Sequence, residues 1–470
     1  MKYVFRNYPK FPSSKIGVYP VAALKGCRIK STGKSDFTAQ FQIFYPCMEG
    51  EKNVTQRPIY MRQNALKGLG KSLGNGKVVN YFLKSILLEK PASHLKDGIN
   101  QDVTPLLCSK LNDKNVNKTR KCWPVVIFSH GLFGSLELYS TICTEIASQG
   151  FVVVAPEHED GSASYAEKFS PQATVKVSEM EFLFRYGKDN HEQHSPIPYK
   201  KPEGVIYHDK RSVVKFRKPF LQKRYEELCD LIGGLIEFTS SQSNAPSTSN
   251  LSTNKDSDSS LLAKACLKDV LMTSSLTNNQ DKSVILAGHS FGGATIQFMM
   301  HQLINGSTKR LKNDIKIHSL ILLDTWVSPV PDEALSQKFS GIPTLSIFCE
   351  TFVTWTPNKV PHELDGVERM LKANKRSLVE DHMFQCVAIR GTRHPFFSDV
   401  PYWMPPILEK YANVSGETDI SISRTCLEKL ITKFLLKDEA PLIVELTEEE
   451  KSYVYDVDKK MLNAPVISDP

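Results

Sequence analysis

The strongest chemical signal in the sequence is the pentapeptide Gly288-His289-Ser290-Phe291-Gly292, followed by Gly293. It comes after the apolar run SVILAGH and before the helical pattern TIQFMMHQLI. A strand, a sharp turn at serine and a helix make an elbow that lifts the hydroxyl clear of the backbone for attack on a carbonyl carbon. Serine is a weak nucleophile near neutrality, so Ser290 needs a base and a carboxylate to orient that base. His394, in RGTRHP, is the one downstream histidine at the C-terminal end of a predicted strand and is the expected base. His382 precedes the same strand, His318 opens another, and His191 and His194 fall in a polar stretch.

Two carboxylates compete for the third position. Asp324 ends the first strand after the elbow helix and Glu350 ends the next. The commoner arrangement in sheets of this kind favours the later strand, and spacing alone leaves the choice open. An oxyanion also needs two donors. One is the backbone N–H of Phe291, which follows the nucleophile; the other is expected at Leu132, in the turn His130-Gly131-Leu132-Phe133-Gly134. Glu157, His158, Glu159 and Asp160 cluster, but no second histidine or cysteine group at ligand spacing accompanies them, so neither a metal nor another cofactor is expected.

These turns need a frame. VVIFSHG, FVVVAPEH, SVILAGHS and SLILLDTW are short β-branched runs that end in chemically active turns, and TLSIFCE and MFQCVAIRG continue the series. Apolar runs without alternation predict strands buried on both faces, hence a mostly parallel sheet flanked by helices. QFQIFYP alternates and predicts an outer antiparallel strand. Helical spacing is expected over Tyr139–Gly150 and in CLEKLITKFLL. The reading is a single α/β domain over 1–470, with a mostly disordered Ser/Asn-rich insertion at 239–282 and a C-terminal tail at 438–470.

Composition excludes several classes. Of 470 residues, 41% are hydrophobic and 23% charged, enough apolar material for a large core. A net charge of +8, evenly spread, carries no nucleic-acid recognition pattern. No run of 18 apolar residues occurs, MKYVFRNYPKFPSS lacks the apolar core of a secretory signal, and Lys2 stands where myristoylation needs glycine. The ten cysteines form no CxxC pair and read as reduced thiols. A cytoplasmic protein, at most peripheral on membranes, is expected.

FSHGLFGSLELYSTICTEIASQGFVVVAPEHEDGSAS, GHSFGGAT, LLDTW and RGTRHPFFSD resemble, in order, the signature segments of the platelet-activating factor acetylhydrolase family within the α/β-hydrolases. The likeness runs over most of Ile16–Leu436. It implies a calcium-independent serine hydrolase that cleaves the sn-2 acetyl or short, oxidised acyl ester of a phosphatidylcholine-like lipid. It also implies Ser290, His394 and Asp324 as the catalytic set, favouring Asp324 over Glu350, with Leu132 and Phe291 holding the oxyanion. A lipid substrate suggests an interfacial element. Val78, Val79, Phe82, Leu83, Ile86 and Leu87, flanked by Lys77, Lys84 and Lys90, form one helical face that would either touch lipid or pack on the core.

Overall fold

The apolar runs become a ten-stranded sheet. The computed structural model describes residues 8–12, 17–30, 38–48, 57–74, 76–97, 105–106, 122–169, 194–241, 259–276, 282–306, 311, 314–354, 361–374, 384–403, 405–436 and 445–457. In chain order the strands are β1 (Val21–Lys30), β2 (Thr38–Pro46), β3 (Lys96–Asp97), β4 (Val125–Ser129), β5 (Val152–Pro156), β6 (Ala166–Phe169), β7 (His194–Ile197), β8 (Ser283–His289), β9 (Lys316–Leu323), β10 (Thr344–Cys349), β11 (Phe384–Ile389) and β12 (Val454–Asp456). The main sheet runs β12-β11-β10-β9-β8-β4-β5-β2-β1-β3, and β6 and β7 pair separately. From β5 to β11 every neighbour is parallel.

Alternate residues of one strand serve opposite faces. Val125 and Ile127 join the core beneath α4 (Lys210–Ser241), α5 (Ser259–Met272) and α6 (Phe291–Asn305). Val126 and Phe128 join the core under α1 (Gln63–Ser72), α2 (Lys77–Leu87), α3 (Ser140–Ser148) and the helix Ile420–Leu435. Each buried Val, Ile or Phe contributes about 1.5–3 kcal/mol by leaving water, so both faces of these short strands stabilise the fold. Strand order, parallel core and the β8-turn-α6 elbow are those of the α/β-hydrolase fold.

Several expectations change. QFQIFYP is antiparallel to β5, but β1 lies outside it. The stretch 239–282 is not a disordered insertion throughout. α4 runs to Ser241, and α5 buries Cys266, Leu267, Val270 and Leu271 on the core. Residues 242–258 and 277–281 lie outside the described set. Ser- and Asn-rich flanks masked a short helix with an apolar side.

The tail at 438–470 also contains structure. A helix at Glu448–Tyr453 is opened by a Thr447–Glu450 capping box, and β12 pairs with β11. Residues 437–444 and 458–470 are outside the described set. On α2, Leu83, Ile86 and Leu87 are buried, while Val79 and Phe82 pack against the same core. That apolar face is spent inside the protein and is not an interfacial element; the side chain of Val78 is not among those described.

Candidate active site

Four strands deliver the predicted residues to one edge of the sheet. β4 leads into His130-Gly131-Leu132, β8 into Ser290, β9 into Asp324 and β11 into the loop of His394. Ser290 has φ 57° and ψ −117°, a conformation that side-chain-bearing residues rarely adopt. Its N–H donates to the Leu323 carbonyl (2.9 Å) and its carbonyl accepts from Trp326 N–H (3.1 Å), so the elbow is tied on both sides to the end of β9. Glycine at 292 is required by contact: a Cβ there would lie 1.9 Å from the Ser129 carbonyl oxygen.

A chain of hydrogen bonds joins the three loops. Ser290 Oγ lies 2.8 Å from His394 Nε2, and His394 Nδ1 lies 2.5 Å from Asp324 Oδ2. Asp324 is fully buried, whereas 39% of the His394 side chain is exposed. Asp324 accepts twice more: Cys349 N–H donates to Oδ1 (2.9 Å) and the Cys349 thiol to Oδ2 (3.0 Å). Burial and the Asp324 charge push the Cys349 thiol well above its ordinary pKa, which keeps the proton that it donates. The His394 ring is held between His289 (4.6 Å between centroids) and Phe352 (5.7 Å, stacked).

Glu350, the rival carboxylate, makes a different contact. Its Oε2 accepts from Gly391 N–H at 2.8 Å, bracing the start of the loop that carries His394. Among the other histidines, His318 bonds weakly to Ser319 and His194 opens β7; His191 and His382 lie outside the described residues.

The expected oxyanion donors stand free beside the serine. Among the described residues, neither Leu132 N–H nor Phe291 N–H has an acceptor. Close approach is built in: a Cβ on Gly131 would lie 3.1 Å from Ser290 Cβ.

The candidate ligand groups among the described residues have other partners. Among the described residues, the trio with ligand atoms near enough is His289, Asp324 and His394, but His394 commits both ring nitrogens to Ser290 and Asp324. In the Glu157–Asp160 cluster, Glu157 pairs with Arg62, His158 with Glu227, and Asp160 with Arg224.

Sequence reasoning missed the support beneath the site. Tyr139, on the turn into α3, and Arg224, on α4, both bond to the His130–Gly131 peptide, and His289 ties to Tyr139. Charged residues in a helix read as a solvated face, so Arg224 gave no signal.

The sequence profile of the family described as "Platelet-activating factor acetylhydrolase, isoform II" matches residues 7–451. The chain belongs to this family. Relatives of the platelet-activating factor acetylhydrolase family include the bovine (Bos taurus) platelet-activating factor acetylhydrolase, 26% identical over 320 residues, 68% of this chain and 58% of that protein. The dog (Canis lupus familiaris) platelet-activating factor acetylhydrolase is 24% identical over 411 residues, 86% of this chain and 72% of that protein. The chain thus spans little more than half the length of the bovine relative. A ferulic acid esterase from Streptomyces cinnamoneus superposes with a TM-score of 0.49 at 13% identity, over 95% of this chain and 98% of that one.

Proposed function

We propose that this protein is a calcium-independent serine esterase that hydrolyses the sn-2 acetyl or short, oxidised acyl ester of phospholipids resembling platelet-activating factor. The observation that carries the reading is the Ser290–His394–Asp324 hydrogen-bond chain at a strained elbow, in a member of the platelet-activating factor acetylhydrolase family.

In this reading Ser290 Oγ attacks the ester carbonyl while His394 Nε2 takes its proton. Asp324 holds the imidazole by Nδ1–H and stabilises the imidazolium. The carbonyl oxygen becomes an anion that accepts from Leu132 and Phe291 N–H, each worth about 2.7–4 kcal/mol in the transition state. Collapse expels the lyso-lipid alkoxide, which takes the proton back from His394. Water, deprotonated by His394, then attacks the acyl-serine, and the second tetrahedral intermediate releases acetate or a short acid and restores Ser290.

Access to an aggregated lipid asks for an apolar exposed surface. The helix Pro406–Ala412, downstream of the His394 turn, exposes Ile407 (82%) and Tyr411 (91%), which supports peripheral contact with a lipid surface. Among the described residues no helix is long and apolar enough to cross a membrane. We also propose a cytoplasmic location, a reading that the eight free thiols among the described residues support.

The test is a three-substrate assay with and without chelator. Acetyl-phosphatidylcholine should be hydrolysed fastest, sn-2 palmitoyl phosphatidylcholine far more slowly, and chelator should change neither rate. Equal efficiency on a simple acetyl ester would instead mark a general carboxylesterase, and loss of activity with chelator would overturn calcium independence.

A further inference from the structure

An oxyanion hole works by preorganisation: its donors must already point at the place where charge develops, because reorganising them during the reaction forfeits the stabilisation. Leu132 lies on a loop, and a loop needs support to hold an N–H in place. We propose that Arg224 and Tyr139 are positioning residues for the oxyanion donor at Leu132, gripping the two polar ends of the His130–Gly131 peptide. This rests on the reading of Leu132 as a donor.

Arg224 holds the carbonyl end. Its Nη1 donates to the His130 carbonyl at 2.6 Å, while Nε donates to Asp160 Oδ2 at 2.9 Å and Nη2 to Ser162 Oγ at 2.6 Å. All five N–H bonds of a guanidinium lie in one plane, so fixing two of its edges aims the third. Ser162 also accepts, through its carbonyl, the N–H of Phe133 at 3.0 Å. The chain is therefore pinned on both sides of Leu132, by His130 before it and Phe133 after it. The Arg224 guanidinium carbon also sits 4.7 Å from the ring centroid of Phe291, whose backbone supplies the second donor.

Tyr139 holds the N–H end. Gly131 N–H donates to its hydroxyl at 3.1 Å, so the hydroxyl proton is left for His289 Nδ1, 2.9 Å away. Burial and the nearby His394 depress the His289 pKa well below its ordinary value, which keeps that ring neutral and so leaves a ring nitrogen able to accept the hydroxyl proton. His289 is the residue before Ser290. One hydroxyl thus links the loop of the first donor to the elbow that carries both the nucleophile and the second donor.

Tyr139→Phe removes the hydroxyl and little else, so it is the primary variant; Arg224→Lys keeps the cation but loses the fork. With active sites counted by fluorophosphonate titration, Tyr139→Phe should lower kcat on an acetyl-phospholipid about 10-fold, less than the 10²–10³ loss for removing a whole donor. KM should be unchanged. Affinity for a trifluoromethyl ketone, which forms a tetrahedral oxyanion on Ser290, should fall by the same factor as kcat. Binding of an unreactive sn-2 ether analogue should not change. Arg224→Lys should show the same pattern.

A kcat per active site equal to wild type in Tyr139→Phe would overturn the proposal, as would a kcat loss with unchanged ketone affinity. Failure of the parent reading shows elsewhere: wild type that resists fluorophosphonate, or Ser290→Ala that stays active, would sink the esterase assignment whatever Tyr139→Phe does.

Discussion

Two serine–histidine–carboxylate chains lie among the described residues, little different in their hydrogen bonds. In one, Ser290 Oγ and His394 Nε2 are 2.8 Å apart and His394 Nδ1 reaches Asp324. In the other, Ser129 Oγ lies 2.8 Å from His158 Nε2, and His158 Nδ1 lies 2.8 Å from Glu227 Oε2. The setting separates them. Ser129 is the last residue of a regular strand and is wholly buried, whereas Ser290 sits at positive φ with two unengaged backbone donors beside it. His394 is partly open to solvent, whereas His158 is sealed under α4. Burial, with Arg224, His130 and Lys223 nearby, depresses the His158 pKa well below its ordinary value, and burial next to Asp160 raises that of Glu227. The same Ser–His–acid string of bonds thus occurs in two settings, and of the two it is the Ser290 set that combines solvent access, backbone strain and unengaged N–H groups, as the proposed chemistry requires.

The largest break in this comparison is at the two serines. Ser290→Ala should cut hydrolysis by about 10⁶-fold and abolish fluorophosphonate labelling. Ser129→Ala should leave kcat/KM nearly intact and the labelling complete, but cost about 1–3 kcal/mol in urea unfolding, because His158 Nε2 loses its partner. Labelling that moved to Ser129 would reverse the assignment.

A second contrast sharpens the choice of acid. Asp324→Asn should lower kcat about 10⁴-fold by upsetting the His394 tautomer. Glu350→Gln should cost less than about tenfold, since it weakens one loop hydrogen bond of about 1 kcal/mol. Steady-state kinetics of the two variants settle this, and equal losses would mean that Glu350 acts on His394 directly.

The smallest effect concerns pH. Burial holds His130, His158 and His289 neutral, with His130 pushed down to about 3, mainly by burial and by Arg224. The unfolded chain binds protons at these sites below about pH 6.5, while the folded chain does not. Their contribution to stability is complete above that pH and is lost as pH falls toward the folded-state values. Glu227 works in the opposite sense, since its raised pKa favours the fold below about 4.5 and fades as pH rises. Glu157 and Asp399, also raised by burial, act in the same sense as Glu227, so the clean measure is a difference: between pH 7 and pH 5 the melting temperature of His158→Gln should fall less, or rise more, than that of wild type. An unchanged slope in that variant would show that His158 takes up no fewer protons folded than unfolded.

Much of this was legible from the chain because the signals are local. Ser290 is announced by its pentapeptide, the parallel strands by unbroken apolar runs, and His394 by its place after the last of them. Asp324 and Glu350 could not be ranked by spacing, since both end strands; the family likeness favoured Asp324, and the contacts show why Glu350 serves the loop instead. α4 stayed hidden because Arg217, Arg224 and Glu227 turn inward and erase the apolar stripe that periodicity needs. α5 was diluted by its serine-rich neighbours, and β12, at three residues, is too short for any period to register. The support beneath the site escaped for another reason: Tyr139, Arg224 and His289 act through long-range polar contacts, which leave no pattern along a sequence.

β12 covers the outer edge of β11, and Arg390, at the start of the turn toward His394, donates its N–H to the Tyr453 carbonyl. A protease cut just ahead of Val454 would strip that edge and leave a row of unsatisfied amides and carbonyls ready to recruit another chain. The same cut would slacken the hinge from which the imidazole hangs, so damage near the far end of the polypeptide would reach the reaction centre as both clumping and loss of turnover.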